Sequence, residues 1–455
     1  MKGRATSPSL HRHESVVNAA ATRPPADRVA LALVEAWLPH TGTGDRAEVE
    51  DLPEDAGVWA DIAATTENCL GSECPRYDDC FVARMRQRAA ESDVVIVNHH
   101  LLCADASVRR HSFGEVIPPA PILVVDEAHQ LEDVATQYFG VAVSNFRVDA
   151  LVRDGLRVLG AKAVADRRKA ADLRAALGQV ERTARDLFTS LQFRRPGTST
   201  RTRERDGLFD ERLRLTEGVL DVVGESGLLF TEALGHAEAA LAGLKEPGED
   251  VRGLARRVTS LREDARFLLR AIDPGFVFFL EIRGRGVFLR ATPIDVAALV
   301  REHVLQRPRT AVLTSATLSV NGSFEYVRGR LGIAEAAQMR LPPEFDYRMQ
   351  SLLYLPRRMP DPRSPDFVAA AAHEVVEILV RSEGRAFVLF TSYANLREVQ
   401  ARIAPRLPYP MLVQGEAPRT QLIDRFRRTP NAVLLATSSF WQGVDVAGEA
   451  LSCVI

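Results

Sequence analysis

Asp126 and Glu127 stand side by side at the end of a short apolar run, Ile122–Val125 (ILVV), with Ala128 and His129 next. Open α/β sheets bind ligands at the C-terminal ends of their strands. There, the first carboxylate can hold the magnesium that bridges nucleotide phosphates, and the second can orient and deprotonate a water. A lone Asp-Glu pair reads as a solvated strand end. In VVDEAH it reads as the magnesium strand of a nucleotide-driven motor. Thr314-Ser315-Ala316-Thr317 follow a second apolar run, Ala311–Leu313. Ser/Thr clusters usually make turns, but in this order their hydroxyls can link a magnesium site to a polymer-binding surface. A third group lies in ATSSFWQGVDV, which begins at Ala436. Gly443 lets the backbone approach a ligand closely. Asp445, with Gln442 before it, can bond a ribose or an arginine. Phe440 and Trp441 either stack on a base or belong to the core. Phe390-Thr391-Ser392-Tyr393 is another strand-end turn of the same kind.

Three of the five cysteines, Cys69, Cys74 and Cys80, have the spacing C-x4-C-x5-C. This is not the paired C-x2-C of a zinc ribbon. Iron–sulfur clusters take thiolates, usually four. Cys103 and Cys453 lie in apolar surroundings and read as buried thiols.

The elements that position these groups follow from periodicity. Asp93–Val97 (DVVIV) and Ile122–Val125 are continuous apolar runs, suited to a parallel sheet covered on both faces. Leu173, Leu177, Val180, Ala184, Leu187 and Leu191 mark one face of a helix, and Leu254, Val258, Leu261, Ala265, Leu268 and Ile272 mark another. Between these helices lies RRPGTSTRTRERDG (194–207), read as a loop. Strands are expected at Phe276–Leu280, Gly286–Leu289 and Ala311–Leu313. After a proline-rich linker at 341–365, helices at Phe367–Val380 and Arg419–Arg428 alternate with strands at Ala386–Phe390, Met411–Val413 and Ala432–Ala436. That alternation implies a second parallel sheet.

The chain has 455 residues and a net charge of −2, so any nucleic-acid surface must be a local patch rather than a global charge. It contains no run of apolar residues long enough to span a bilayer. The N-terminus has no secretory h-region, and the cysteine usage suits a reduced, cytoplasmic chain.

VVDEAH, TSATL, VLFTSY and WQGVDV in this order, with NHHLL (98–102), RGRGVFLRATPID (283–295) and FDYRMQSLLYLP (345–356), resemble the DinG/XPD type of superfamily 2 DNA helicase. The resemblance runs over essentially the whole chain. It implies two RecA-like parallel-sheet motor domains with an inserted cysteine-cluster domain and a helical arch. The expected division is an iron–sulfur-type insertion at 1–92, motor domain 1 at 93–145 and 276–345, the arch at 146–275, and motor domain 2 from 346 to 455. It also implies ATP, magnesium and a 4Fe-4S cluster as cofactors, single-stranded or forked DNA as the partner, 5′→3′ translocation in repair or replication, and a monomer. By similarity Asp126 and Glu127 handle magnesium and water, and His129 couples them to Thr314–Thr317.

Two departures qualify the resemblance. Ser9, in KGRATSPSLHR, stands where the family places a fourth cysteine. The alternatives are a three-cysteine cluster, zinc with His11 or His13, or no metal. No Gly-Lys dipeptide occurs, so the phosphate loop G-x-x-x-x-G-K-[ST] is missing from the sequence. TGTGDRAE (41–48) has no Lys and reads as a turn. The family's final arginine motif is not found either. The expectation is therefore a chain truncated at both ends and inactive alone. The competing readings are a non-enzymatic DNA-binding relative, a DEAH-type RNA helicase, and a helicase fused to an exonuclease. Arg4, Arg12, Arg76 and Arg84 are candidates to line a DNA channel.

Overall fold

The computed structural model describes every residue except 2, 4–5, 19–22, 50–51, 53–55, 65–68, 111–114, 161–165, 194–199, 204–208, 245–247, 418, 438–439 and 442. The described residues divide into two compact units, one within Met1–Gln338 and the other Met339–Ile455.

The strands of the first unit, in chain order, are β1 (Ile122–Val125), β2 (Val141–Ser144), β3 (Thr200–Arg203), β4 (Phe209–Arg214), β5 (Phe276–Arg283), β6 (Gly286–Pro293) and β7 (Thr310–Leu313). β1 and β7 pair in parallel, from Ile122↔Thr310 to Val125↔Leu313. One face of this pair is buried. Val125 packs with Cys103 and Ala106 of helix His99–Arg110 and with Leu131 and Val134 of helix Leu131–Tyr138. On the other face Ile122 and Val124 are exposed, so the cover expected on both faces holds for one. Asp93–Val97 is not a strand. It has no sheet partner among the described residues, and Val94 and Ile96 are exposed. An apolar run becomes a strand only when a neighbour takes its backbone hydrogen bonds.

The expected helical faces are buried along helices Arg167–Phe193 and Glu249–Arg270. Ile272 departs from the pattern. The second helix ends at Arg270, Ala271 takes φ 46°, and Ile272 points to solvent. These helices, with Asn145–Gly160 and Glu217–Ala242, cover one face of an antiparallel sheet of order β2-β6-β5-β4-β3. The sheet was not foreseen at that size. Part of the segment read as an arginine loop forms β3, and the rest of that loop lies outside the described residues.

The second unit is a parallel sheet of order β11-β8-β10-β9, from β8 (Ala386–Leu389), β9 (Met411–Val413), β10 (Val433–Ala436) and β11 (Cys453–Val454). Helices Phe367–Ser382, Tyr393–Ile403 and Arg419–Arg428 cover it. One layer packs Leu379, Val388 and Ile403, and the other packs Phe387, Leu422 and Phe426. β10 is buried at all four positions, as a central parallel strand should be.

Candidate nucleotide and coupling sites

The β1–β7 ladder continues past both strands. Thr314 N donates to Val125 O (2.9 Å), and Ala128 N donates to Thr314 O (3.0 Å). This pairing brings the two hydroxyl- and carboxylate-bearing turns together. Glu127 takes a left-handed conformation, φ 47°, and its carbonyl accepts from Gln130 N at 3.0 Å. Such a conformation costs a non-glycine residue about 1–3 kcal/mol and clusters at functional sites.

The turn sets Glu127 beside Ser315 and His129. The Ser315 hydroxyl donates to Glu127 Oε2 at 2.9 Å, and His129 Nδ1 lies 2.8 Å from Ser315 Oγ and 3.2 Å from Glu127 Oε2. Ser315 has one proton and directs it at Glu127, so the Nδ1 of His129 carries the proton that points back at Ser315. Thr317 N also donates to Ser315 Oγ, at 3.2 Å. Ser315 therefore joins the carboxylate, the imidazole and the second strand end. Thr314, Ala316 and Thr317 are exposed beside it.

Asp126 is exposed, and its Oδ1 accepts from Glu127 N at 3.0 Å. Its Oδ2 accepts no hydrogen bond among the described residues. One open carboxylate oxygen suits magnesium, which takes one or two carboxylates and leaves its other positions to water and phosphate. His99 went unassigned in the sequence. Its Nε2 lies 2.8 Å from Asp126 O and so braces the carboxylate pair from the start of helix His99–Arg110. Its signal was the NHH run, which carries no chemistry until the fold places it.

In the second unit the ends of β8, β9 and β10 converge on Gln414. Its Oε1 accepts from Thr437 N (2.7 Å) and Thr437 Oγ1 (2.9 Å), and its Nε2 donates to Tyr393 OH at 2.6 Å. Ser392 caps helix Tyr393–Ile403 by accepting from Asn395 N. Gly443 takes φ +64°, and its carbonyl accepts from Arg419 Nη2 at 2.9 Å; Arg427 donates to the carbonyl of Asp445. One helix thus holds two carbonyls of the G-V-D turn. Asp445 is exposed, and Gln442 lies outside the described residues. Phe440 is a core residue beneath Arg419, whereas Trp441 is 54% exposed.

Cys69, Cys74 and Cys80 are free thiols of intermediate exposure in a turn-rich segment, and Cys80 N-caps helix Phe81–Ala90. Burial pushes the Cys74 thiol up, a backbone bond from Arg76 opposes this, and Cys80 and Cys69 add to it. Among the described residues no three Cys, His, Asp or Glu side chains are gathered as a metal cage. The Ser9 hydroxyl accepts from Arg12 N at 3.4 Å at the start of helix Leu10–Asn18. His13 is lowered by burial, against Glu35 and Glu14, and its buried Nε2 has no hydrogen-bond partner among the described residues. Cys103 is fully buried and its thiol is pushed up to about 12 by burial. Cys453 is half-buried on β11. TGTGDRAE is a self-bonded turn: Thr41 donates to Glu48 at 2.6 Å, and Gly44 N donates to Thr41 Oγ1 at 2.8 Å.

The proposed channel arginines are paired. Arg12 and Arg257 bind Asp154, Arg76 binds Glu14, and Arg84 reaches Asp79. Arg4 lies outside the described residues.

A family model described as Helicase C-terminal domain matches residues 375–455. The ATP-dependent DNA helicase YoaA of Escherichia coli is 34% identical over all of this chain and 69% of its own length. The ATP-dependent helicase DinG of Mycobacterium tuberculosis is 29% identical over 92% of this chain and 60% of its own. Among solved structures, one of apo XPD aligns with a TM-score of 0.36 and 14% identity, covering 78% of this chain and 63% of that one.

Proposed function

This chain belongs to the DinG/XPD-type family of ATP-dependent DNA helicases, and on that premise we propose that Asp126, Glu127, Ser315 and His129 form its hydrolytic and coupling centre. The observation that carries this reading is the Glu127–Ser315–His129 triad, which joins the ends of two neighbouring parallel strands.

Asp126 would hold magnesium, which would supply charge neutralisation at the phosphates. Glu127 is anchored through Oε2, and its Oε1 has no partner among the described residues. That leaves one fixed, unencumbered acceptor to orient a water and take its proton. Ser315 donates to Glu127 Oε2 and His129 bonds Ser315, so a change at Glu127 is felt at Thr314–Thr317 without a long path. Gly443 and Asp445 are assigned to nucleotide binding in the second unit, as is Gln442, which lies outside the described residues. In this reading Arg419 and Arg427 hold the backbone of the G-V-D turn.

Single-stranded or forked DNA is the polymer, and 5′→3′ translocation is assigned by resemblance. Segments 1–92 and 146–275 are assigned as insertions in the first motor domain, and 346–455 as the second. Cys69, Cys74 and Cys80 are assigned as thiolate ligands of an iron–sulfur cluster. As placed they do not complete a cage, and Ser9 serves as a helix cap, so no step of the reaction is derived from a cluster.

The test is phosphate release by the protein that carries this chain, with and without single-stranded DNA. Glu127→Gln is expected to lower DNA-stimulated hydrolysis by about 10²–10⁴-fold, the contribution of a positioned base, while nucleotide binding persists. Hydrolysis that Glu127→Gln leaves unchanged overturns the assignment.

A further inference from the structure

The antiparallel sheet of the first unit buries one face against helices and leaves the other open. Along β5 the alternation is plain: Phe278, Leu280 and Ile282 are buried in the helical core, while Val277, Phe279, Glu281 and Arg283 take the opposite face. Residues directly opposite in a ladder share a face, so the register maps that face. One row reads Arg212, Glu281, Phe288, Ser144, and the next reads Arg214, Phe279, Arg290, Ala142. Guanidinium groups and aromatic rings thus alternate across adjacent strands.

The contacts follow this map. Arg212 lies over the Phe279 ring at 5.9 Å, and Arg290 lies over the Phe288 ring at 5.2 Å. Phe146, 51% exposed, meets Phe288 edge-on at 6.1 Å between centroids. Glu281 is buried beneath the arginines. Its Oε1 accepts from Arg212 Nε and Arg283 Nη2, each at 2.7 Å. Arg290 Nε lies 2.8 Å from Oε2 but off the N–H direction, so it pairs by charge rather than by a hydrogen bond. Arg214 is exposed and has no partner among the described residues.

Arg212, Arg214, Arg283 and Arg290 set four positive charges on this face against two carboxylate positions, Glu281 and Asp210, the latter opposite Arg283 in the register. The whole chain carries −2, so this is a local concentration of charge. Glu281 does not neutralise the face. It sits below the surface and holds three of the arginines in place, with Arg212 and Arg283 more than half exposed.

We propose that this sheet face is a binding platform for single-stranded DNA, with Phe279, Phe288 and Phe146 stacking on bases and the arginines following the phosphates. It rests on the helicase reading for the identity of the polymer and adds a contact surface apart from the Asp126–Glu127 centre. The partner is chosen by complementarity. Exposed bases need flat apolar rings, their backbone needs fixed positive charge, and cation–π stacking keeps ring and guanidinium together. A duplex hides its base faces and would leave the rings without partners.

The test is anisotropy of a labelled oligothymidylate on the full chain across a salt series. Each phosphate contact contributes about 0.7 to the slope of log affinity against log salt for single strands. The double variant Arg212→Ala with Arg214→Ala is expected to lower the slope by about 1.4. Phe279→Leu keeps apolar packing and is expected to weaken binding at least about 5-fold, the low end for one stacked base. Variants that fold as the parent does but keep its affinity and slope overturn the platform. So does competition by heparin equal to that by the oligonucleotide, which reads as a general polyanion surface, and so does the absence of oligonucleotide binding. Intact binding in the variants leaves the helicase reading standing, whereas hydrolysis insensitive to Glu127→Gln sinks that reading and not the platform.

Discussion

Ser315 is the residue through which Glu127 and His129 meet, since its hydroxyl donates to one and accepts from the other. It touches no reacting atom, so its role is to position. A half-exposed hydrogen bond of this kind is worth about 0.5–1.5 kcal/mol, roughly 2- to 12-fold in rate. Ser315→Ala is expected to lower DNA-stimulated hydrolysis by about that factor and to leave nucleotide affinity unchanged, and Ser315→Thr should restore it. A loss of nucleotide affinity instead of turnover would mean that Ser315 serves the ligand directly. Asp126, Glu127 and His129 stood out in the sequence because a run of types in fixed order, VVDEAH, suggests the chemistry proposed for them. His99 and Gln414 were not, because a single His or Gln acquires a role only from the strand end that packs beside it.

At the scale of elements, the cysteine segment shows what spacing can and cannot say. Cys80 starts a helix and Cys74 closes a turn, so local structure sets the direction of each thiol separately. Ser9 is held by its own helix through Arg12 N, and Ile62 O accepts from its backbone. A serine hydroxyl is a poor substitute for a thiolate at an iron–sulfur centre. Protein prepared without oxygen and assayed for iron decides the assignment. Brown charge-transfer absorbance that disappears in Cys74→Ser is the expected result for three thiolates, and a colourless, iron-free preparation removes the cluster from the account. Helix periodicity, in contrast, was reliable. The 4-3-4-3-4 spacing of Leu173–Leu191 predicts a buried stripe, and each of those six residues is buried. Ile272 failed because the left-handed Ala271 ends the helix before the stripe does, and a continuing period does not encode where backbone hydrogen bonds stop.

Across the first unit, one partly buried carboxylate, Asp154, and one buried carboxylate, Glu281, join separate segments. Asp154 binds Arg12 (3.3 Å), Arg157 (3.0 Å) and Arg257 (2.8 Å), tying helix Leu10–Asn18 to helices Asn145–Gly160 and Glu249–Arg270. Glu281 ties β4, β5 and β6. Burial opposes ionisation of each, but the surrounding arginines outweigh it and hold both carboxyls below their ordinary values. A depressed folded value contributes stability that is present above the unfolded value, about 4, and is lost as pH falls through the folded one. Thermal melts should therefore be level near neutral pH and fall steeply below about pH 4. Glu281→Gln removes the counter-charge of three solvent-reaching arginines and should cost about 1.5–3 kcal/mol near neutral pH, with a shallower acid decline. An acid slope equal to the parent's would show that Glu281 does not contribute. The sequence by itself determined the family and the helical faces, and it singled out the two carboxylates and the hydroxyl turn, because these depend on residue order and local period. Only the tertiary structure decided that Asp93–Val97 is not a strand, that Arg12, Arg76 and Arg84 are paired with carboxylates, and that arginines and phenylalanines scattered from 212 to 290 share one open sheet face. Those outcomes depend on which segments supply hydrogen bonds and counter-charges to one another, and no local pattern carries that information.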